Sequence, residues 1–267
     1  MLPAVTPKVQ VESLVKTYRE VNAEPVVAVA EASFQVAEAE FFVLLGPSGC
    51  GKSTILRMVS GLELPSAGQV LVDGRAVDGP GRDRGLVFQA YTSFPWLTVE
   101  ENVGFGLELR GVKVEEQQRV VAHFLEVTGL AEFRHAYPKE LSGGMKQRVA
   151  IARTMANSPD ILLMDEPFGA LDVETRWQMQ ELLLEVWRET RTTVLFVTHD
   201  IEEAIFLGDR IYISTARPSR CCDVVDVPFG RPRPSAIKTS VPFRQLEGKI
   251  HGLFRNQALE EWKGQDS

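Results

Sequence analysis

Two hydrophobic periodicities alternate along the chain. Val9 to Val15 places apolar and polar residues in turn, and Val26 to Val36 is a second extended stretch beyond a polar turn around Asn22. Phe41 to Leu45 (FFVLL) is short, wholly apolar and followed by glycines, which predicts a strand buried on both faces. The pattern then becomes helical: Ile55, Leu56, Met58 and Val59 recur at helical spacing until Gly61 breaks the run. Gly68 to Val77 predicts a hairpin, and Gly79 to Arg84 a loop of Gly, Pro and charged residues.

From about Val99 to Met155 the signal is helical. Phe124, Leu125, Val127 and Leu130 form one amphipathic stripe, and Val149, Ile151 and Ala152 contribute to another. Ile161 to Met164 and Val194 to Val197 are again apolar strands, with a helix over Glu174 to Arg188 between them. Strands alternating with helices predict a mainly parallel α/β sheet with the helical block inserted as a subdomain. No internal repeat is visible. Beyond Ala216 the chain turns rich in Pro and Arg (ARPSR, GRPRP), and residues 226–267 read as an appendage, not a second core.

Composition narrows the classes. The chain has 267 residues, 44% hydrophobic and 24% charged, as in an ordinary folded domain. With 29 Lys and Arg against 36 Asp and Glu, the net charge of -7 supplies no general attraction for nucleic acid. Three cysteines cannot make a disulfide framework, which points to a reducing cytosol. The longest apolar runs fall far short of the roughly 20 residues that span a bilayer. The N-terminal MLPAVTPKVQVESL lacks the basic start and long apolar run of a signal peptide, so any membrane role is expected to come through a partner chain.

The candidate chemistry begins at GPSGCGKS (Gly46, Pro47, Ser48, Gly49, Cys50, Gly51, Lys52, Ser53), between a buried strand and an amphipathic helix that continues with Thr54. Glycines let the backbone curl until several N–H groups face one anion, and the helix dipole adds positive potential there. In that setting Lys52 would bind β and γ phosphates and Ser53 would hold Mg²⁺. ILLMDEP ends a second apolar strand on two carboxylates. Asp165 could bind the water shell of Mg²⁺, and Glu166 could polarise an attacking water. Alone, Asp-Glu-Pro would be a polar strand end; beside a phosphate loop it becomes chemistry.

With these two motifs and LSGGM (Leu141 to Met145), the sequence resembles the ATP-binding subunits of ABC transporters, over roughly Val9 to Ala216 and with seven motifs in order. The resemblance implies a P-loop NTPase core with a mainly parallel sheet (residues 1–89 and 156–225), an antiparallel β subdomain and an inserted α-helical subdomain at about 90–155. Tyr18 resembles the aromatic that stacks on adenine. Gln89 in VFQ resembles the glutamine that joins core to helical subdomain and reaches Mg²⁺. FGALD, ending at Asp172, looks like the loop that communicates across a dimer, and His199 in VTHD like the switch histidine that hydrogen-bonds the γ-phosphate. Ser142 can cap its helix while Gly143 and Gly144 admit an anion, and in the family this helix end faces the ATP of the opposite subunit. Two departures stand out: Met145, where the family more often has Gln, and Ala39, where relatives usually have Gly in the turn before FFVLL.

His123, His135 and His251 read as surface or satisfied core residues, and Cys221-Cys222 as ordinary tail residues. Cys50 lies among loop N–H groups at a helix N-terminus, so it is expected to react with maleimides and to be protected by ATP. Phe94, Pro95, Trp96 and Leu97 are expected partly in the core of the helical subdomain and partly at a cleft edge that receives a short helix of a membrane subunit.

The finer resemblance is to importer subunits for taurine, alkanesulfonates and nitrate, carried by DGPGRDRGLVFQAYTSFPWLTVEENVGFGL and LSGGMKQRVAIARTMANSPDILLMDEPFGALD. It implies an ATPase that dimerises around two ATP with a second ATP-binding subunit, as a homodimer. It further implies integral-membrane permease subunits, an extracytoplasmic solute-binding protein acting indirectly, and a place at the cytoplasmic face of the inner membrane. Taurine is the favoured solute and nitrate the alternative. An ABC-type ATPase serving nucleic acid would carry long coiled-coil insertions or two cassettes, and a small-molecule kinase would not need the LSGG helix.

Overall fold

The computed structural model describes residues 6–19 and 24–265, with side chains as far as residue 257; the turn expected around Asn22 lies outside the described residues. The strands are β1 (Val9–Tyr18), β2 (Val26–Val36), β3 (Phe41–Leu45), β4 (Ala67–Val72), β5 (Arg75–Ala76), β6 (Arg84–Val87), β7 (Ile161–Asp165), β8 (Thr193–Thr198), β9 (Arg210–Ser214) and β10 (Ser219–Asp226). The helices are α1 (Lys52–Ser60), α2 (Val99–Leu109), α3 (Val114–Val127), α4 (Gly143–Ala156), α5 (Val173–Thr190), α6 (Ile201–Leu207) and α7 (Val241–Gln265). They divide into two compact units, Met1–Pro80 with Thr193–Ser267, and Gly81–Thr192. The expected boundaries near 89 and 155 both fall inside the second unit, because β6 and β7 pair with each other and α4 packs on both β6 and α5.

In the first unit the strands run β5-β4-β1-β2-β10-β9-β3-β8. The β5-β4-β1-β2 portion is antiparallel, whereas β9, β3 and β8 run parallel. β3 lies between β8 and β9, and all five residues of FFVLL are buried, as its uninterrupted apolar run requires. The hairpin expected after Gly68 is β4–β5, turning on Asp73 and Gly74 at φ 49° and 74°, the left-handed pair that a two-residue I′ turn demands. Gly61 stops α1 in the same left-handed region, where a side chain would collide with the carbonyl of Gly79.

The second unit holds the parallel pair β6–β7 and the helices α2, α3, α4 and α5. Thr98 begins α2 with a capping box to Glu101, Ser142 caps α4 and Asp172 caps α5.

The C-terminal stretch packs on the first unit. β9 and β10 form a hairpin whose second strand also pairs with β2. Beyond it, the short turn Ser235–Thr239 and α7 pack on α6 and bury Phe243 and Ile250 completely. The polar run SRCCDVVD gives no apolar alternation strong enough to predict β10 from sequence.

Ala39 adopts φ 56°, in the tight turn into β3 where a glycine is the usual occupant. The left-handed conformation costs an L-residue about 1–2 kcal/mol, part of which glycine returns through its freer unfolded chain. Ala39→Gly is therefore expected to stabilise the fold by about 0.5–1 kcal/mol in denaturant titration; an unchanged midpoint would show that the turn carries no strain.

Candidate nucleotide site

In the first unit the register of three parallel strands places the phosphate loop. Leu45, the last residue of β3, pairs with Thr198 at the end of β8 and with Ile213 near the end of β9. The phosphate loop after Leu45, His199 after Thr198 and Ser214 of β9 therefore emerge side by side at one sheet edge. That edge is where open α/β sheets bind ligands.

The loop itself depends on two left-handed glycines, Gly49 at φ 76° and Gly51 at φ 111°. A Cβ on Gly51 would lie 2.6 Å from the carbonyl oxygen of Ala28. Pro47, Ser48 and Gly49 are exposed, while Lys52 is buried with its amine donating to the carbonyls of Gly46 and Pro47, both at 2.8 Å. Ser53 and Thr54 follow in the first turn of α1, which carries no acidic residue to oppose an anion. Tyr18 lies beside α1: its hydroxyl donates to Glu63 at 2.8 Å and lies 3.4 Å from the Thr54 hydroxyl. Burial raises the Tyr18 pKa above its ordinary value and keeps the phenol neutral.

Cys50 does not stand where its loop position suggested. It is 1% exposed, with its sulfur turned inward to 3.6 Å from the Ser214 hydroxyl and 3.8 Å from the Lys52 amine. The expected maleimide reactivity and ATP protection are therefore corrected. The loop curls so that its backbone faces outward and this side chain packs beneath it. Ser214, which shares a 2.6 Å hydrogen bond with Ser219, is the residue that sequence reasoning missed here, and nothing near it in the chain marks it.

The second unit carries candidate residues of its own. Val87 of β6 pairs with Met164 of β7, so Gln89 and the Asp165–Glu166 pair leave the same edge of their two strands. Asp165 is buried, Gln89 is exposed and Glu166 is half-buried. Glu166 has φ 43°, a conformation that costs an L-residue about 1–2 kcal/mol.

Ser142 accepts a hydrogen bond from the backbone N–H of Met145 at 3.3 Å, the capping role its position predicted. The two glycines after it are also packing requirements. A Cβ on Gly143 would lie 2.7 Å from the Tyr91 hydroxyl, and one on Gly144 2.6 Å from a methyl of Thr175. Asp172 accepts from Thr175 N–H at 3.0 Å and from its hydroxyl at 2.7 Å, and these bonds hold its carboxyl below the usual carboxylate range. In the same unit a cleft of about 610 Å³ is lined by Phe88, Phe94, Phe105 and Leu109 together with Arg84 and Arg153. Phe94 sits 4.6 Å from the Phe105 ring, whereas Trp96 is 70% exposed.

A glycine loop of this geometry on a parallel sheet is built for the phosphates of a nucleotide, and the class it defines is a phosphate-loop ATPase. The chain belongs to the ABC transporter family, whose model matches residues 29–169, more than half of the sequence.

It is similar to an uncharacterized ABC transporter ATP-binding protein of Methanocaldococcus jannaschii, at 48% identity over 256 residues, 96% of this chain and 94% of the relative. A nitrate import ATP-binding protein of Synechocystis is 45% identical, covering 88% of this chain and 91% of its own length. A taurine import ATP-binding protein of Rhizobium johnstonii is 48% identical, covering 86% and 89%. Among solved structures, a dimeric ATP-binding cassette in a post-hydrolysis state with ADP and Pi matches with a TM-score of 0.73 at 33% identity, over 83% of this chain and 100% of that one. The chain is accordingly an ATP-binding cassette that hydrolyses ATP. Among the described residues no helix is long and apolar enough to cross a membrane.

The burial of Cys50 against the exposure of Cys221 and Cys222 gives a direct check. A thiol reagent should titrate two cysteines in the native protein and all three in denaturant. ATP should leave the native count unchanged; a third native thiol lost on adding ATP would place Cys50 at the loop surface after all.

Proposed function

We propose that this chain is the ATP-hydrolysing subunit of an ABC importer that takes up a small anionic or zwitterionic solute, taurine or an alkanesulfonate. The observation that carries this reading is the 48% identity to the taurine import subunit across nearly the whole cassette. The nitrate import relative, at 45%, supports the second reading, a nitrate importer.

The residues divide the work by chemistry. The N–H groups from Gly46 to Gly51 and the Lys52 amine bind the β and γ phosphates, Thr54 adds to that cradle, and Tyr18 stacks on adenine. Lys52 exchanges its two carbonyl partners for phosphate oxygens, a stronger, charge-assisted pairing. Glu166 polarises the attacking water and His199 hydrogen-bonds the γ-phosphate and that water.

Ser53 fits a magnesium ligand, with Asp165 and Gln89 acting through water; among the described residues no cluster of three acidic, His or Cys side chains could hold a cation alone. Mg²⁺ would draw charge off the phosphate oxygens. Residues of the protein would supply only part of its coordination, leaving the rest to the nucleotide and water.

Two copies of the chain would sandwich each ATP between one phosphate loop and the other's Ser142, Gly143 and Gly144, with Asp172 on the dimer loop. Exposed Val173 and Trp177, on the helix that Asp172 caps, support an interface there. The aromatic cleft around Phe94 supports a permease contact, the shape and polarity suiting a short helix with one apolar face. In this reading the solute reaches the permease from an extracytoplasmic binding protein and nucleic acid plays no part. The chain is peripheral at the cytoplasmic face of the membrane.

Glu166→Gln is expected to keep ATP affinity and to lower turnover by at least about a hundredfold, while Lys52→Ala loses affinity. Normal hydrolysis by Glu166→Gln would remove the general-base assignment.

The solute is tested by deleting the gene in its source organism. Growth is then scored on taurine, an alkanesulfonate or sulfate as sulfur source, with nitrate or ammonium as nitrogen source. Loss on taurine or alkanesulfonate alone is the expected outcome; loss on nitrate alone would move the chain to the second reading.

A further inference from the structure

The helix that follows His199 is too short to hold itself. α6 spans seven residues, about two turns, below the length at which a helix is stable without tertiary support. Its first turn is tied by side chains: Glu203 is buried and accepts from the Thr198 hydroxyl, and Asp200 caps the helix through Glu203 N–H at 3.1 Å.

Its last turn is tied by the C-terminal segment. Arg233, with its side chain 1% exposed, donates from one nitrogen to the carbonyls of Ile205, Phe206 and Gly208 at 3.0, 3.1 and 2.7 Å. Its other nitrogens donate to the carbonyl of Phe229. Arg231 donates to the Leu207 carbonyl and pairs with Asp209 at 2.8 Å. Four consecutive carbonyls at this helix end are thus held by two arginines, which also complement the negative end of the dipole. Burial and the neighbouring Arg231 lower the Arg233 pKa to about 10, which leaves it charged at neutral pH.

Two further contacts close the clamp. Lys238, buried, pairs with Glu202 in the first turn of α6 at 3.2 Å and covers the Phe206 ring at 4.5 Å. Asp209 accepts from Phe41 N–H at 2.9 Å, which ties the same corner to the start of β3, the strand that ends in the phosphate loop. Phe229 and Phe243 stack at 5.9 Å, which anchors the segment on α7.

We infer that the segment from Phe229 to Lys238 is a clamp that positions α6, and that Arg233 is thereby a positioning residue for His199 at the head of that helix. The catalytic half of this inference rests on the reading of His199 given above.

The test measures turnover and amide exchange of α6 in full-length Arg233→Gln and Arg233→Lys, each in wild-type and His199→Ala backgrounds. Arg233→Gln should speed exchange of the α6 amides about tenfold or more. It should lower kcat about tenfold while KM for ATP stays within about twofold, with partial recovery in Arg233→Lys. In the His199→Ala background the further loss should be less than about twofold, because both changes act through one group. Equal losses in the two backgrounds would overturn the inference, as a general loss of stability would produce them. Unchanged α6 exchange would remove the clamp while leaving His199 its role. Normal turnover by His199→Ala would instead remove that role, and with it the catalytic half of the inference. If Arg233→Gln fails to fold, Arg231→Gln, at a site 19% exposed, takes its place with the same readouts.

Discussion

The pairing of Leu45 with Thr198 and Ile213 across three parallel strands is the constraint from which the candidate nucleotide site follows. A parallel ladder brings all three strand ends to one edge, so residues more than 150 positions apart in sequence leave the sheet as neighbours. The glycine loop could curl in isolation only at high entropic cost. Its shape is retained because α1 begins immediately after it and because Ala28 and Ser214 press against its inner side, where Gly51 and Gly46 leave no room for a side chain. Binding energy for a polyanion is then available from backbone N–H groups that need not reorganise.

The same logic recurs in the second unit. Gln89 and the Asp165–Glu166 pair are placed by the register of β6 on β7, and Glu166 bears a left-handed backbone that an unconstrained glutamate would avoid. Ser142 and Asp172 both cap helices, and both are exposed at the ends where those helices meet solvent. A capped helix start with glycines behind it is rigid and unobstructed, the two properties an anion contact from another chain would use.

C-terminal to the cassette core, chemistry gives way to mechanical support. Arg231, Arg233 and Lys238 are basic residues in a Pro/Arg-rich stretch that on composition alone resembles a solvated tail. Instead their charges are spent on the carbonyls and carboxylates of α6 and its flanking turn. A short helix whose last carbonyls are unsatisfied frays. Here that end is held by the guanidinium groups of Arg231 and Arg233, on a segment anchored to α7 by the Phe229–Phe243 stack, which makes the position of the residues at its head depend on the C-terminal segment.

Much of this was legible in the order of residues. FFVLL and ILLM are short, wholly apolar runs that read as buried strands, Gly49 and Gly51 permit a curl that other residues resist, and Ser142 carries the oxygen that a helix start lacks. These are local properties, set by the backbone and side chain of one short stretch, and sequence by itself determined them. Even the cost at Ala39 follows from a single missing glycine. Tertiary structure alone decided that Cys50 packs inward against Ser214, that Gly143 must be small because of Tyr91 and Gly144 because of Thr175, and that Arg233 closes the end of α6. Each of those depends on which distant residue arrives beside the local one, and pairing across a parallel sheet or between helices leaves no periodic trace in the intervening chain.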